Sequence, residues 1–215
     1  MKKSSTNQKV LKLVQLALLT ALIVVLQWFG SFLTGVTGLP MSLVLIPIVI
    51  GAFLLGPAEG AFLGVMFGIM TIIMGFSGMD AFTAILFNNF GVGKCIATVA
   101  ICLIKAGLAG FGAGAVYKLL NKAFKGKKII LSTVIASVSA PIINTGIFVL
   151  GMLLFFFNDM GAIQNALGIV ETSSSMYFIF IVLAGINFIV EFLINLIVSP
   201  AIVRIVAVVG KKLHK

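Results

Sequence analysis

Y-F-I-F-I-V-L-A-G-I-N-F-I-V-E-F-L-I-N-L-I-V-S-P-A-I-V, from Tyr177 to Val203, is long enough to cross a bilayer as one helix. Within it Asn187, Glu191 and Asn195 stand at i, i+4 and i+8. That spacing puts all three on one helical face, with lipid-compatible residues almost everywhere else. A carboxylate at the centre of a membrane span costs a few kcal/mol, roughly +2.5 to +3.5 on insertion scales, so it needs a partner or a purpose. One reading is a structural seam that fastens this helix to its neighbours by hydrogen bonds. The other is the wall of a pocket for a polar solute.

The rest of the chain supports a membrane setting. Of its 215 residues 61% are apolar and 9% charged, with a mean hydropathy of +1.26, too little charge to clothe a water-soluble surface. The net charge of +10 does not point to nucleic acid. Its basic residues are concentrated at Lys2, Lys3, Lys9 and Lys12, at Lys118, Lys122, Lys125, Lys127 and Lys128, and at Arg204, Lys211, Lys212 and Lys215. Each cluster flanks an apolar run, the distribution of cytoplasmic loops, and no basic face is interleaved with aromatics. Cys95 and Cys102 share one helix about 10 Å apart, beyond disulfide reach, and read as free thiols. The only histidine is His214, so neither a metal site nor a cofactor is expected.

Hydropathy divides residues 1–215 into one membrane domain with spans at 13–33, 43–55, 61–76, 95–120, 129–157 and 177–203. The expected fold is all-α: a six-transmembrane-helix bundle with both termini cytoplasmic. Residues 1–12 read as a frayed polar arm, and Thr34 to Ser42 as a Gly/Pro-rich loop. Pro47 predicts a kink in the second run, and Gly56 to Gly60 a tight turn. Ser77 to Lys94 is too short an apolar segment to span. It reads as a loop with a half-buried helix on the outer face, presenting Asp80, Asn88 and Asn89. Ala106, Gly110 and Gly114 allow close helix packing in the fourth span. Asn158 to Met176 reads as an outer polar loop.

Depth then singles out a polar set. At 1.5 Å per residue, Lys105 and Asn187 lie about ten residues below the outer end of their spans, and Asn144 and Glu191 about thirteen to fourteen. These four fall within a helical turn of one another in depth, on three helices. A structural ion pair would explain Lys105 and Glu191 but leave Asn144, Thr145, Asn187 and Asn195 without a role. A pocket open to the outside accounts for the whole set. Nothing supports catalysis: no histidine lies in the membrane, Lys105 has no serine partner in its span, and no Walker lysine follows a Gly-rich loop.

Several stretches together resemble the substrate-binding S components of energy-coupling factor (ECF) transporters, the vitamin importers of bacteria and archaea. They are the A-x-x-x-A pair at Ala17 and Ala21, L-I-P-I-V-I-G-A-F-L-L-G-P-A-E-G-A at Leu45 to Ala61, and C-L-I-K-A-G-L-A-G at Cys102 to Gly110. P-I-I-N-T-G at Pro141 to Gly146 and N-x-x-x-E-x-x-x-N at Asn187 to Asn195 complete the likeness. The resemblance covers nearly the whole chain. It implies a multi-pass protein of the bacterial plasma membrane that binds a small-molecule vitamin from outside. Such a protein has no ATPase of its own and docks a transmembrane coupling subunit with two cytoplasmic ATPases. By this likeness Ala17 and Ala21 form the docking face, and the loop at Thr34 to Ser42 helps gate the pocket. The substrate-binding set would be Lys105, Asn144, Thr145, Asn187, Glu191, Asn195, Asn88 and Asn89.

The riboflavin branch of that family carries an Asp-containing stretch where this chain reads G-L-P-M-S at Gly38 to Ser42. Lys105 with several Asn side chains suits a carboxylate bearing amide or hydroxyl groups, and pantothenate has that chemistry. Riboflavin or another micronutrient is the alternative ligand. Alternatives of another class are a proton-coupled secondary transporter using Lys105 and Glu191, a homo-oligomeric channel, or a scaffold with a purely structural seam. The first commonly shows inverted repeats with broken helices, which are not evident here.

Overall fold

The computed structural model describes residues 5–37, 43–169 and 174–213, and every regular element among them is helical. The long helices are α1 (Ser5–Thr37), α3 (Pro57–Phe76), α5 (Val92–Ala123), α6 (Ile129–Phe155) and α9 (Gly185–Leu213). Shorter ones are α2 (Leu45–Leu55), α4 (Ala81–Asn88), α7 (Met160–Ala166) and the single turn α8 (Ser175–Tyr177). A 3₁₀ turn at Phe157–Asp159 leads into α7, and a π-helical segment, Phe178–Leu183, joins α8 to α9.

Five segments are long and apolar enough to cross a membrane: Gln8–Phe32, Pro57–Phe76, Val92–Ala123, Ile129–Phe155 and Ser175–Val208. The expected span at 43–55 forms the 11-residue α2, about 16 Å long, half a bilayer core. Its brevity is matched by burial, with Val44, Leu45, Ile48 and Val49 fully enclosed. Pro47 lies in its first turn, where its missing N–H would have had no intrahelical partner, so it interrupts nothing. The arm at 1–12 is corrected, since α1 is helical from Ser5. Helix α1 continues to Thr37, so the expected loop at 34–42 starts later; 38–42 lie outside the described residues.

The polar loop expected at 158–176 gains structure too. Through the 3₁₀ turn and α7, Met160 and Ile163 join a core with Met152, Phe156 and Phe178. Glu171, Thr172 and Ser173 lie outside the described residues. The short helix expected between 77 and 94 is α4, with Asp80 Oδ1 accepting the Thr83 amide at 2.9 Å as its N-cap.

Helices α3 and α5 pack backbone against backbone. A Cβ built at Gly68 would stand 2.6 Å from the Cys102 carbonyl oxygen, and one at Gly60 2.6 Å from that of Gly110. A Cβ at Gly64 would overlap the carbonyl of Ala106. Backbone therefore meets backbone along three successive turns, as small residues at intervals of four permit. Gly114 continues the contact against Pro57, which opens α3 after Gly56 turns the chain at φ 125°. On its outer faces the bundle exposes Phe62, Ile73, Ile96, Leu119, Leu154 and Ile197, an apolar surface suited to lipid rather than water.

Ion pairs mark opposite ends of the bundle. Lys12 on α1 pairs with Glu59 in the first turn of α3, and Lys94 at the start of α5 pairs with Asp159 after α6. The Lys94 ammonium also stands 5.2 Å from the Phe90 ring centroid and 5.9 Å from that of Phe156.

Candidate functional site

The half of the bundle that carries α4 and α7 encloses a cavity of about 550 Å³. Helices α1, α3, α5, α6 and α9 form its walls, with the turn into α4 and the π-helical segment closing gaps between them. Lys105, Asn144, Thr145, Asn187 and Glu191 all line it. Three helices thus bring together five of the residues singled out from sequence.

Lys105 is half-buried on α5, and its ammonium stands 5.2 Å from the Phe148 ring centroid. That geometry suits a cation–π contact, which orients the charge without consuming its hydrogen-bond donors. The ring meets Phe82 of α4 edge-on, with centroids 5.9 Å apart, so an aromatic wall supports the lysine. Asn144 and Glu191, matched in depth by counting residues, are in contact: Asn144 Nδ2 donates to Glu191 Oε2 at 3.3 Å. Both are almost wholly buried, at 3% and 1% exposure, and their bond fastens α6 to α9. The bond makes a polar seam between these helices, and both residues also line the cavity.

The seam leaves polar capacity unused. Asn144 Oδ1 and Thr145 Oγ1 are buried without a hydrogen-bond partner among the described residues. In a low-dielectric interior such atoms carry a desolvation cost until a donor meets them.

The remaining site residues separate from this group. Asn195 is fully buried, but its Nδ2 donates to the Glu191 backbone oxygen at 2.9 Å and it lies outside the cavity lining. Asn88 and Asn89 are exposed at the end of α4 and also lie outside it. Ala17 and Ala21 are exposed on α1, away from the cavity.

Other lining residues had escaped selection. Gln27 and Ser31 reach the cavity from one face of α1, and their i, i+4 spacing was a readable signal. Thr71 and Thr98 had none, being isolated hydroxyls that donate to their own helices, at Phe67 O and Lys94 O. Asp80 and Thr83 carry the cap signature of α4, and both line the cavity. The π-helical segment contributes Val182 and Leu183, with the Ala184 amide bonded to Ile179 O at 3.0 Å. Such wide turns are frequent where a helix borders a functional site.

A family model described as ECF transporter, substrate-specific component, matches residues 11–203. No curated protein and no solved structure matches the chain.

Proposed function

The chain belongs to the substrate-specific components of ECF transporters, and on that premise we propose that it captures a carboxylate-bearing water-soluble vitamin, pantothenate by preference, from outside a bacterial cell. It is a substrate-binding transport subunit and a multi-pass membrane protein. The observation that carries the ligand reading is the cavity whose wall brings together Lys105, Asn144, Thr145 and Asn187. Its volume, about 550 Å³, is within the range of small-molecule sites. Lys105 would neutralise the carboxylate, while Asn144, Thr145 and Asn187 hydrogen-bond amide or hydroxyl groups. Glu191 would hold Asn144 in place and help orient the lysine. Native mass spectrometry of the purified chain should reveal a co-purified small carboxylic acid. A neutral or purely cationic molecule retained in its place would overturn this ligand class.

The proposed topology makes one membrane domain of the chain, with both termini in the cytoplasm; the sixth crossing this requires falls to the segment 43–55, where α2 covers about half the bilayer core. Lysines near Lys118 to Lys128 would then face inward, and the cavity half of the bundle outward. The proposed location is the bacterial plasma membrane. The proposed partners are a transmembrane coupling subunit and two cytoplasmic ATPases, with α1 as the docking helix. In support, Ala17 and Ala21 form a low spot on an exposed face that also carries Val14 and Val25. Helices approach closely over such small residues. Ala17→Trp and Ala21→Trp are each expected to abolish ATP-driven uptake in cells supplying the coupling module, with solute affinity nearly unchanged. Uptake at the parental rate in both variants would remove this face from the docking surface.

A further inference from the structure

Lys105 shares the cavity wall with a charge of opposite sign. Asp80 lines the cavity from the turn between α3 and α4. Lys105 itself lies roughly three and a half turns into α5, well inside the bundle. One Asp80 oxygen caps α4 through the Thr83 amide. A carboxylate offers about four acceptor positions, so the cap leaves most of that capacity for whatever enters. Asn144 Oδ1 and Thr145 Oγ1 add acceptors without partners among the described residues. The strong donors on the wall are Lys105 and the amides of Gln27 and Asn187. A simple apolar carboxylate would satisfy the lysine and leave the acceptors dry. A dicarboxylate would set a like charge against Asp80.

We infer that the solute is read at two poles: Lys105 receives its carboxylate, and Asp80 receives a hydrogen-bond donor, hydroxyl or ammonium, elsewhere on the same molecule. This rests on the reading that Lys105 takes a carboxylate. It narrows the substrate class to carboxylic acids that carry such a donor, and it makes Asp80 a specificity-determining residue.

The test uses the full chain purified in detergent and three probes: caproate, ε-aminocaproate and pantothenate. The parent protein should bind at least one donor-bearing probe about tenfold more tightly than caproate, as expected for a donor on a charged acceptor. Asp80→Asn keeps the helix cap, since Asn caps as well as Asp, yet should erase most of that preference. Lys105→Met should weaken all three probes together. Preference for ε-aminocaproate alone, lost in Asp80→Asn, would identify ammonium as the donor and discard pantothenate while the two poles stand. A preference unchanged in Asp80→Asn would overturn the proposal, as would a parent protein that binds neither donor-bearing probe better than caproate. Unchanged affinities in Lys105→Met would remove the carboxylate pole and the two-pole reading with it.

Discussion

Gly64→Ala is expected to cost about 3 kcal/mol of stability, the upper part of the overpacking range, and Gly64→Val to prevent recovery of folded protein. In an exposed helix the same Gly→Ala change would be favourable by about 1 kcal/mol, because alanine has the higher helix propensity. The sign reverses because the added Cβ would lie inside the Ala106 carbonyl group, with the Gly107 Cα only 3.0 Å away. Neither neighbour is a flexible side-chain tip that can swing aside. The two helices would have to separate, and the contacts at Gly60 and Gly68 would loosen with them. Since α5 carries Lys105 and α3 carries Thr71, separation would also deform the cavity. Gly146→Ala supplies the control: nothing lies within 4 Å of a Cβ there, and it should raise stability by about 0.5–1 kcal/mol. Thermal unfolding in detergent separates the two outcomes. A Gly64→Ala protein as stable as its parent would show that α3 and α5 do not rely on this backbone contact.

That contact illustrates what a single sequence discloses. Ala106, Gly110 and Gly114 announced a close approach on α5, and it exists. Their partners, Gly60, Gly64 and Gly68, repeat the same interval on α3, but a small-residue stripe does not say which helix it meets. The depth of Asn144 and Glu191 was legible because rise per residue is fixed, and the bond between them followed. Rotation and cavity extent were less legible. Asn195 continues the stripe of Asn187 and Glu191, yet it lies outside the lining, a limit that helical period alone cannot mark. Asn88 and Asn89 looked like members because they are polar and near the outer end, but α4 ends there and leaves both exposed. Asp80, at the other end of α4, is the residue that reaches the cavity. The π-helical segment left no trace in composition, since an i→i−5 bond places no demand on residue type. At α2 the brevity of the apolar run was visible in the sequence, and the helix it forms is half a bilayer core long.

Lys105→Met is expected to leave a folded protein that has lost about 2–5 kcal/mol of affinity for its carboxylate solute. The lysine's described contact is the face of Phe148, so methionine can fill the same space without abandoning a hydrogen bond there. Glu191 makes a different demand. Its Oε2 accepts from Asn144 Nδ2 within a buried seam, and Glu191→Gln can keep an acceptor at that position. Glu191→Leu cannot: it would leave the Asn144 amide without that acceptor, beside an Oδ1 that has no partner among the described residues, at a stability cost of about 1–3 kcal/mol. The double variant Lys105→Met, Glu191→Leu separates the roles. If the two residues serve only to balance each other's charge, removing both relieves the imbalance and ligand binding should survive. If Lys105 instead reads the solute, the double variant stays as weak a binder as Lys105→Met, whatever happens to its melting temperature. Isothermal titration alongside thermal unfolding measures both quantities on the same sample. The second pattern is expected, because Lys105 stands on the cavity wall, its ammonium beside the face of Phe148, where an incoming anion can meet it. Full affinity recovered in the double variant would sink that assignment.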